Sequence, residues 1–212
     1  MTSGKRKAPE RGRSREVLIA VAADLFARKP YDEIYISDIA REAGVANGLL
    51  SYHFNGKRGL YLAVLAEALE EINALLLPRD GEITKEQRLR GMVRRQIVYR
   101  RDHAHTMLAL FRAGGQDPEV DELFERGRRA GTECFLDLLD VRVEPTPTLR
   151  VAVRGLMGLL DEATRDWLVH DADMGIGDLE EVVYNGAVAV LATVRSAHPT
   201  IGAAVDELTA PA

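Results

Sequence analysis

The chain has 212 residues, of which 46% are hydrophobic and 6% aromatic, and its 28 Lys and Arg against 33 Asp and Glu give a net charge of −5. No apolar run reaches about 18 residues, which excludes a membrane span, and the single cysteine, Cys134, excludes an internal disulfide and suits a reducing cytoplasm. Because no segment alternates apolar and polar residues as a half-buried strand does, we expect an all-α protein of about nine helices.

The two ends of the chain differ in charge. Residues 1–60 hold 11 Lys and Arg and 7 Asp and Glu, so the acidic excess lies in the rest of the chain. A basic head on an acidic body suits DNA contact at one end only, because the body repels phosphate. Residues 1–13 are too polar to pack and are expected to form a flexible basic arm. That arm either contacts phosphates or the minor groove, or stays a solvated tail.

A first helix is predicted from about Ser14 to Lys29, and Pro30 ends it because proline cannot continue a helix. Its apolar residues recur at the spacing of one buried face. They are Leu18, Val21, Ala22, Leu25 and Phe26.

The segment from Ile36 to Phe54 is typical of two short helices joined by a tight turn. Gly44 lies where the first of them must end and the backbone must turn left-handed, which a residue without a Cβ does at least cost. Small Ala40 allows the second helix to approach closely, and Val45 and Leu50 contribute apolar contacts beyond the turn. These features predict a helix-turn-helix, whose second helix enters the DNA major groove. The alternative is an alanine-rich helical hairpin within a bundle.

These three helices form a predicted head of residues 14–56. Its expected core consists of Leu18, Ala22, Leu25, Phe26, Ile39, Val45, Leu50 and Phe54. A helical body is predicted over residues 57–198, beginning with one long linking helix from Lys57 to about Leu77. Further helices are expected at 84–101, 103–113, 118–139, 147–170 and 178–197, separated by Gly- and Pro-containing breaks. Residues 199–212 are weakly patterned and are predicted to be a C-terminal tail.

The last two predicted helices are apolar around most of their circumference, so they must be buried on several sides. Gly155, Gly158 and Gly186 would allow close helix approach. Two such helices from each subunit would pair into a four-helix dimer interface. The residues assigned to this interface are Leu156, Leu160, Val183, Ala187, Val190, Leu191 and Val194. The alternative is that both helices lie inside a monomeric bundle.

Three segments resemble the TetR family of bacterial transcriptional regulators: Ala22-Ala23-Asp24-Leu25-Phe26, Ile39-Ala40-Arg41-Glu42-Ala43-Gly44-Val45 and Tyr52-His53-Phe54-Asn55-Gly56-Lys57. The specific likeness covers about 45 residues, from Leu18 to Leu62, whereas the body shares only the general helix layout. The resemblance implies a DNA-binding head, a linking helix, and a body that binds a small molecule and dimerises.

The resemblance also implies which residues contact DNA. The recognition helix would span Asn47 to His53, and the contacts would come from Ser37, Asn47, Gly48, Ser51, Tyr52, His53 and Lys57. Lys57 would hold a phosphate at the start of the linking helix. The family often has serine where this chain has Ala46, so helix capping is expected to shift to Asn47. Tyr52 and His53 can alternatively be partly buried packing residues.

The resemblance implies a small-molecule effector, whose pocket in the body we expect to be largely apolar. The candidate residues are Tyr99, His103, Met107, Phe111, Arg112, Phe135 and Trp167. Arg112 either faces inward, where it must meet an anion, or extends outward to solvent. Phe135 and Trp167 can equally be plain core. His103 and His105 point to different helix faces, so no metal and no cofactor is expected.

The sequence therefore predicts a cytoplasmic homodimeric repressor that binds a palindromic operator in double-stranded DNA and is released by a small molecule. It offers no motif of an enzyme. One alternative is a DNA-binding structural or chromosome-organising protein on the same fold, without small-molecule control. Another is a helical carrier or enzyme with an incidental head.

Overall fold

A computed structural model of the protein describes residues 8–104, 106–108, 117–144 and 146–210. These residues form helices and connecting loops without strands, which confirms the all-α class. The helices are α1 (Ala8–Arg28), α2 (Ile36–Glu42), α3 (Asn47–Phe54), α4 (Lys57–Ala74), α5 (Lys85–Asp102), α6 (Pro118–Leu138), α7 (Pro147–Val169), α8 (Ile176–Thr193) and α9 (Pro199–Leu208). Residues 106–108 are also helical, and Tyr31–Glu33 form a 3₁₀ turn. A search of the described helices for membrane-spanning segments finds no candidate.

The chain divides into two compact units. The first, which we call the head unit, comprises the described parts of residues 1–69 and 105–123. The second, the body unit, comprises those of residues 70–104 and 124–212. The head unit is therefore larger than the predicted head of residues 14–56, because it includes most of α4 and the first turns of α6.

The first helix is longer than predicted. It begins at Ala8 rather than near Ser14, so residues 8–13, which we expected in a flexible arm, continue the helix. The remaining arm residues, 1–7, lie outside the described part of the chain. Residues 8–13 show no apolar periodicity in the sequence, which explains why this extension was not predicted.

The helix-turn-helix is confirmed in its geometry. α2 ends at Glu42, and Gly44 takes the left-handed conformation with φ +65°. The amide of Val45 donates to the carbonyl of Ala40 at 3.0 Å, which closes the turn in the pattern that follows a left-handed helix end.

The head unit has its own apolar core. All the residues predicted for the head core belong to it, although Val45 is only partly buried. Leu60 and Val64 of α4 also belong to this core. α4 starts very close to the end of α3, since a Cβ placed on Gly59 would lie 1.7 Å from the carbonyl oxygen of Phe54. This contact explains why the first turns of α4 belong to the head.

The body unit is built around α5, α7 and α8. Thr146 caps α7 with its hydroxyl, which accepts from the amide of Leu149, and Pro147 takes the first helical position. α7 and α8 approach closely where a Cβ on Gly186 would lie 2.4 Å from Leu159 Cδ2. The close approach predicted at Gly186 is thus confirmed.

The C-terminal segment is not the tail that we expected. Residues Pro199–Leu208 form α9, in which Ile201, Val205 and Leu208 are buried at 1%, 2% and 5% exposure. These three residues lie four and three positions apart, so they share one helical face that packs into the body core. With only 10 residues in the helix, this pattern is too short to stand out in the sequence.

Candidate nucleic-acid interface and effector site

The recognition helix α3 has one buried side and one exposed side. Leu50 and Phe54 anchor it in the head core. The opposite surface exposes Asn47, Gly48, Ser51 and Tyr52. Ser37, in the first turn of α2, is exposed as well. Since residues four apart share a helical face, Asn47 and Ser51 form one exposed polar row that can face base edges.

The N-terminus of α3 carries no side-chain cap. Ala46 occupies the N-cap position and Asn47 is the first helical residue, so the expected shift of capping to Asn47 was wrong. The first amides of α3 therefore lack a side-chain acceptor. Such amides are suited to donate hydrogen bonds to a phosphate oxygen.

His53 is half-buried at the end of α3. Its ring lies 5.2 Å from the ring of Tyr52 and 6.0 Å from that of Phe54, measured between centroids. Its buried Nε2 has no hydrogen-bond partner among the described residues. The side chain thus combines the packing role considered for it with an unused polar atom at the recognition helix.

Lys57 has partners inside the head. Its ammonium donates to the carbonyls of Tyr31 at 2.7 Å and Ile34 at 2.8 Å, and Nζ lies 4.1 Å from the centroid of the Tyr31 ring. Two of its three N–H donors are therefore used to tie α4 to the turn that precedes α2. No local pattern in the sequence indicates this contact, and the predicted phosphate contact would share the same ammonium.

Arg58 is a second basic residue at the start of α4, which sequence reasoning missed. Its guanidinium forms ion pairs with Asp117 at 2.7 Å and Glu119 at 2.6 Å. Asp117 also accepts from the amide of Glu119 at 3.0 Å and so caps α6. The hydrogen bond from Arg58 lowers the pKa of Asp117 below its usual value. Arg58 thus connects the first turn of α4 to the first turn of α6 within the head unit.

The head unit contains an open cavity of about 610 Å³. Its walls include the mutually packed rings of Phe26, Tyr31 and Tyr61, with the Arg58–Asp117 pair at its polar side. Burial raises the pKa of Tyr61, and the neighbouring Asp117 carboxylate adds to the effect. None of the residues predicted to bind an effector lines this cavity among the described residues.

Two of the predicted effector residues lie together in the body unit. The rings of Tyr99 and His103 stack at 4.2 Å between centroids, and the Tyr99 hydroxyl donates to Glu71 at 2.6 Å. Burial, together with this hydrogen bond, raises the pKa of Tyr99. Tyr99 is half-exposed and His103 is exposed, so a small molecule could reach both rings.

The other predicted effector residues are dispersed. Phe135 and Trp167 are buried in the body core, at 2% and 4% exposure, and Trp167 Nε1 donates to the carbonyl of Met174. Met107 is buried at 1% and belongs to the head unit. Phe111 and Arg112 lie outside the described residues.

Arg100 is a charged residue of the body unit that sequence reasoning also missed. It lies on α5 next to Tyr99 and is only 4% exposed. Its guanidinium donates to Gln96 and, at 2.7 Å, to Asp161 on α7. Burial lowers the pKa of Arg100, whereas the Asp161 carboxylate opposes this effect. Arg100 lies three residues after Ile97 and seven after Val93, on the buried face of α5, so the helical spacing of the apolar residues could have indicated its burial.

Most of the predicted dimer residues are buried within their own chain. Six of the seven pack in its core and are not available at its surface. These are Leu156, Leu160, Val183, Ala187, Leu191 and Val194, with exposures of 7% or less. Val190 is half-buried. A side chain that is buried in its own subunit cannot meet a partner.

The two helices nevertheless expose apolar surface. Val151 on α7 and Val182 on α8 are 60% and 54% exposed. Gly155 and Gly158 are also exposed, and a Cβ at either position would meet nothing within 4 Å. The close approach expected at these two glycines is therefore not made among the residues that the structure describes.

A helix-turn-helix whose second helix presents a polar outer face defines the head unit as a DNA-binding module. Residues 18–64 match the family model described as "Bacterial regulatory proteins, tetR family". This match contains the DNA-contacting residues predicted above. It also contains Arg58.

Comparisons with whole proteins agree. The chain is 28% identical over 169 residues to the HTH-type transcriptional activator FasR of Mycolicibacterium smegmatis, covering 76% of this chain and 75% of that one. It is 30% identical over 133 residues to the HTH-type transcriptional regulator BetI of Serratia proteamaculans, covering 59% and 66%. A TetR-family regulator from Streptomyces coelicolor superposes with a TM-score of 0.77 at 28% identity, covering 96% and 90%. The chain belongs to the TetR family and is a DNA-binding transcriptional regulator.

Proposed function

We propose that this protein is a cytoplasmic homodimeric repressor that binds a palindromic operator and is released by a small molecule. The observation that carries the proposal is the exposed polar row of α3, held in a helix-turn-helix by a buried apolar side. The row provides amide and hydroxyl groups that can read base edges, and Tyr52 adds an exposed aromatic hydroxyl beside it. The exposed Ser37 would contact the backbone, and His53 would lie near the groove.

Dimerisation is proposed through the exposed sides of α7 and α8. Association would bury the apolar side chains of Val151 and Val182, and removing apolar surface from water favours the dimer. Glycine in the middle of a helix costs about 0.5–1 kcal/mol relative to alanine. Gly155 and Gly158 make no compensating close contact within the described part of the chain. Their lack of a side chain would allow a helix of a second copy to pack closely against α7.

Two-fold symmetry then determines the operator. Two heads related by a dyad reach successive major grooves about 34 Å apart, so each reads one half of an inverted repeat. A ligand that binds better to a conformer with another head spacing would release the DNA, because it shifts the population toward that conformer. Tyr99 and His103 are the proposed contacts for this ligand, since they form the most accessible aromatic pair among the candidates.

The proposal is tested by selecting bound fragments from sheared genomic DNA with the purified protein at roughly physiological salt, where nonspecific attraction to phosphate is weakened. A few strongly enriched inverted repeats would support the regulator. Broad recovery without a motif would instead favour a chromosome-organising role. Tyr52→Ala is the matched control, because Tyr52 is 65% exposed and its loss should reduce recovery without unfolding the head.

A further inference from the structure

The guanidinium of Arg100 is the most deeply buried charge that the body unit shows. Its side chain is 5% exposed, whereas that of its carboxylate partner Asp161 is 51% exposed. Removing a cation from water is unfavourable unless its partners compensate, and a buried ion pair is often no more stable than an apolar pair of the same size. Stability alone therefore does not account for a buried arginine here.

The donors of Arg100 are incompletely used. One Nη donates to Gln96 Oε1, and the other donates to a single oxygen of Asp161 at 2.7 Å. The buried Nε has no acceptor in the part of the chain that the structure describes. An unsatisfied buried donor destabilises the fold, so an acceptor is expected for this atom.

The geometry of the group indicates which partner fits. Nε and an Nη of arginine form parallel donors that match the two oxygens of one carboxylate. Asp161 uses only one oxygen on this group and is half-exposed, so it can turn toward solvent when a better-placed carboxylate arrives. Gln96 is itself fixed, because its amide donates to the carbonyl of Ile72 at 2.7 Å.

Both polar and apolar residues lie near Arg100 and Asp161 along α5 and α7. Tyr99, with its partner Glu71, lies beside it in sequence and is partly accessible. On the same two helices, Ile97 and Leu160 are buried in the body core. A molecule bound between these groups would need a polar oxygen group at one end and an apolar remainder.

We propose that Arg100 is the anchor of an effector site for apolar molecules that carry a carboxylate. The proposal rests on the ligand control proposed above and names the class of ligand. The carboxylate takes Nε and one Nη of Arg100, Asp161 turns outward, and the apolar part of the molecule packs near the Tyr99–His103 pair.

The test uses octanoate as the probe, with octan-1-ol and octylammonium as neutral and cationic probes of the same chain length. Binding to the full-length protein is measured by calorimetry and by the fluorescence of Trp167, the single tryptophan, which is buried in the same core. DNA is absent, so failure to bind octanoate is distinct from failure to bind an operator. We expect saturable binding of octanoate, and affinities for the other two probes at least tenfold weaker.

Four variants decide the role of Arg100. Arg100→Met should weaken octanoate binding about tenfold or more while leaving the affinity for octan-1-ol within twofold, since only the charged anchor is lost. Arg101→Met, at the exposed neighbouring arginine, should change neither. Arg100→Lys keeps the charge without the paired donors and should also weaken octanoate binding. Asp161→Asn removes the competing carboxylate and should strengthen it several-fold.

Three results would overturn the proposal. They are equal affinities for octanoate and octan-1-ol, no saturable octanoate binding, and an Arg100→Met protein that binds octanoate as the unmodified chain does. If Arg100→Met unfolds, which circular dichroism would show, Asp161→Asn decides the matter. An unchanged or lower octanoate affinity in that variant contradicts the proposal.

Discussion

The ammonium of Lys57 donates to the main-chain carbonyl of Tyr31 at 2.7 Å, and this bond connects the first residue of α4 to the turn before α2. Lys57 also donates to the carbonyl of Ile34. These two hydrogen bonds give Lys57 a structural role, although it lies within the DNA-binding segment. A loss of DNA affinity on mutating Lys57 therefore has two possible origins, which must be measured separately.

Replacing Lys57 with methionine should destabilise the protein by about 1.5–3 kcal/mol, because hydrogen bonds from a charged donor are lost at a half-buried site. Urea unfolding measures this change. Arg41→Met is the matched control, since the Arg41 side chain is 74% exposed and its pair with Asp38 should contribute less than about 1 kcal/mol. An unchanged unfolding midpoint with a reduced salt dependence of DNA binding would show that Lys57 acts on phosphate alone.

Gly59→Ala should destabilise the head by about 1–3 kcal/mol or more, because its Cβ would lie 1.7 Å from the carbonyl oxygen of Phe54 and the backbone would have to move. Gly48→Ala provides a contrast on α3. A Cβ there meets nothing within 4 Å, so the free energy of unfolding of this variant should rise by about 0.5–1 kcal/mol.

The same Gly48→Ala variant should bind operator DNA more weakly, since the added methyl group stands on the face proposed to meet base edges. Thermal unfolding and DNA titration of one preparation give both values. Equal stabilities for the two glycine variants would contradict the close contact between α3 and α4.

Glu125 should make the stability of the body unit depend on acid pH. Hydrogen bonds from Arg154 and Arg128 lower the pKa of Glu125 to about 2, from 4.5. A carboxyl whose pKa is lowered by folding contributes stability above its unfolded pKa and loses it as the pH falls through the folded value. The difference in unfolding free energy between the unmodified chain and Glu125→Gln should thus be constant above about pH 5 and shrink from pH 4.5 toward 2.

The control for this experiment is Arg154→Met. Because Arg154 and Glu125 share an ion pair, the double variant should lose less stability than the two single variants added together. A difference that stays constant down to pH 2, or strict additivity, would mean that this ion pair does not stabilise the fold.

Val151→Asp should dissociate the proposed dimer, since it places a charge on an exposed apolar side of α7. Sedimentation at several concentrations would show this as a monomer with near-normal thermal stability. Leu156→Ala should behave differently, because Leu156 is 4% exposed in its own subunit. Its truncation should cost about 2–5 kcal/mol of folding stability. A dimer that persists in Val151→Asp would exclude this face.

The sequence was most informative where one residue type is needed. Gly44 at the left-handed turn and the apolar stripe of α1 follow from local geometry, so the apolar core of the head and its helix-turn-helix could be predicted. α7 and α8 were located as helices, but a helix that is apolar nearly all round does not show which side faces its own core. That is why Leu156 was assigned to the interface and Val151 was not.

The missed residues depend on long-range contacts. Arg58 reaches Asp117, and Arg100 reaches Asp161, across loops whose course local patterns do not determine. Charged residues also look alike in a sequence whether solvated or buried. α9 was missed because its apolar face needs the body core to hold it, and ten residues seldom form a helix without such packing.

The most direct test of the central claim is a footprint of the protein on a fragment recovered from genomic DNA, at roughly physiological salt. We predict two protected half-sites related by a dyad, with centres about 34 Å apart or a multiple of that distance, and loss of protection in Tyr52→Ala. Protection of a single half-site, or uniform protection along the fragment, would contradict a dimeric regulator that reads its operator through α3.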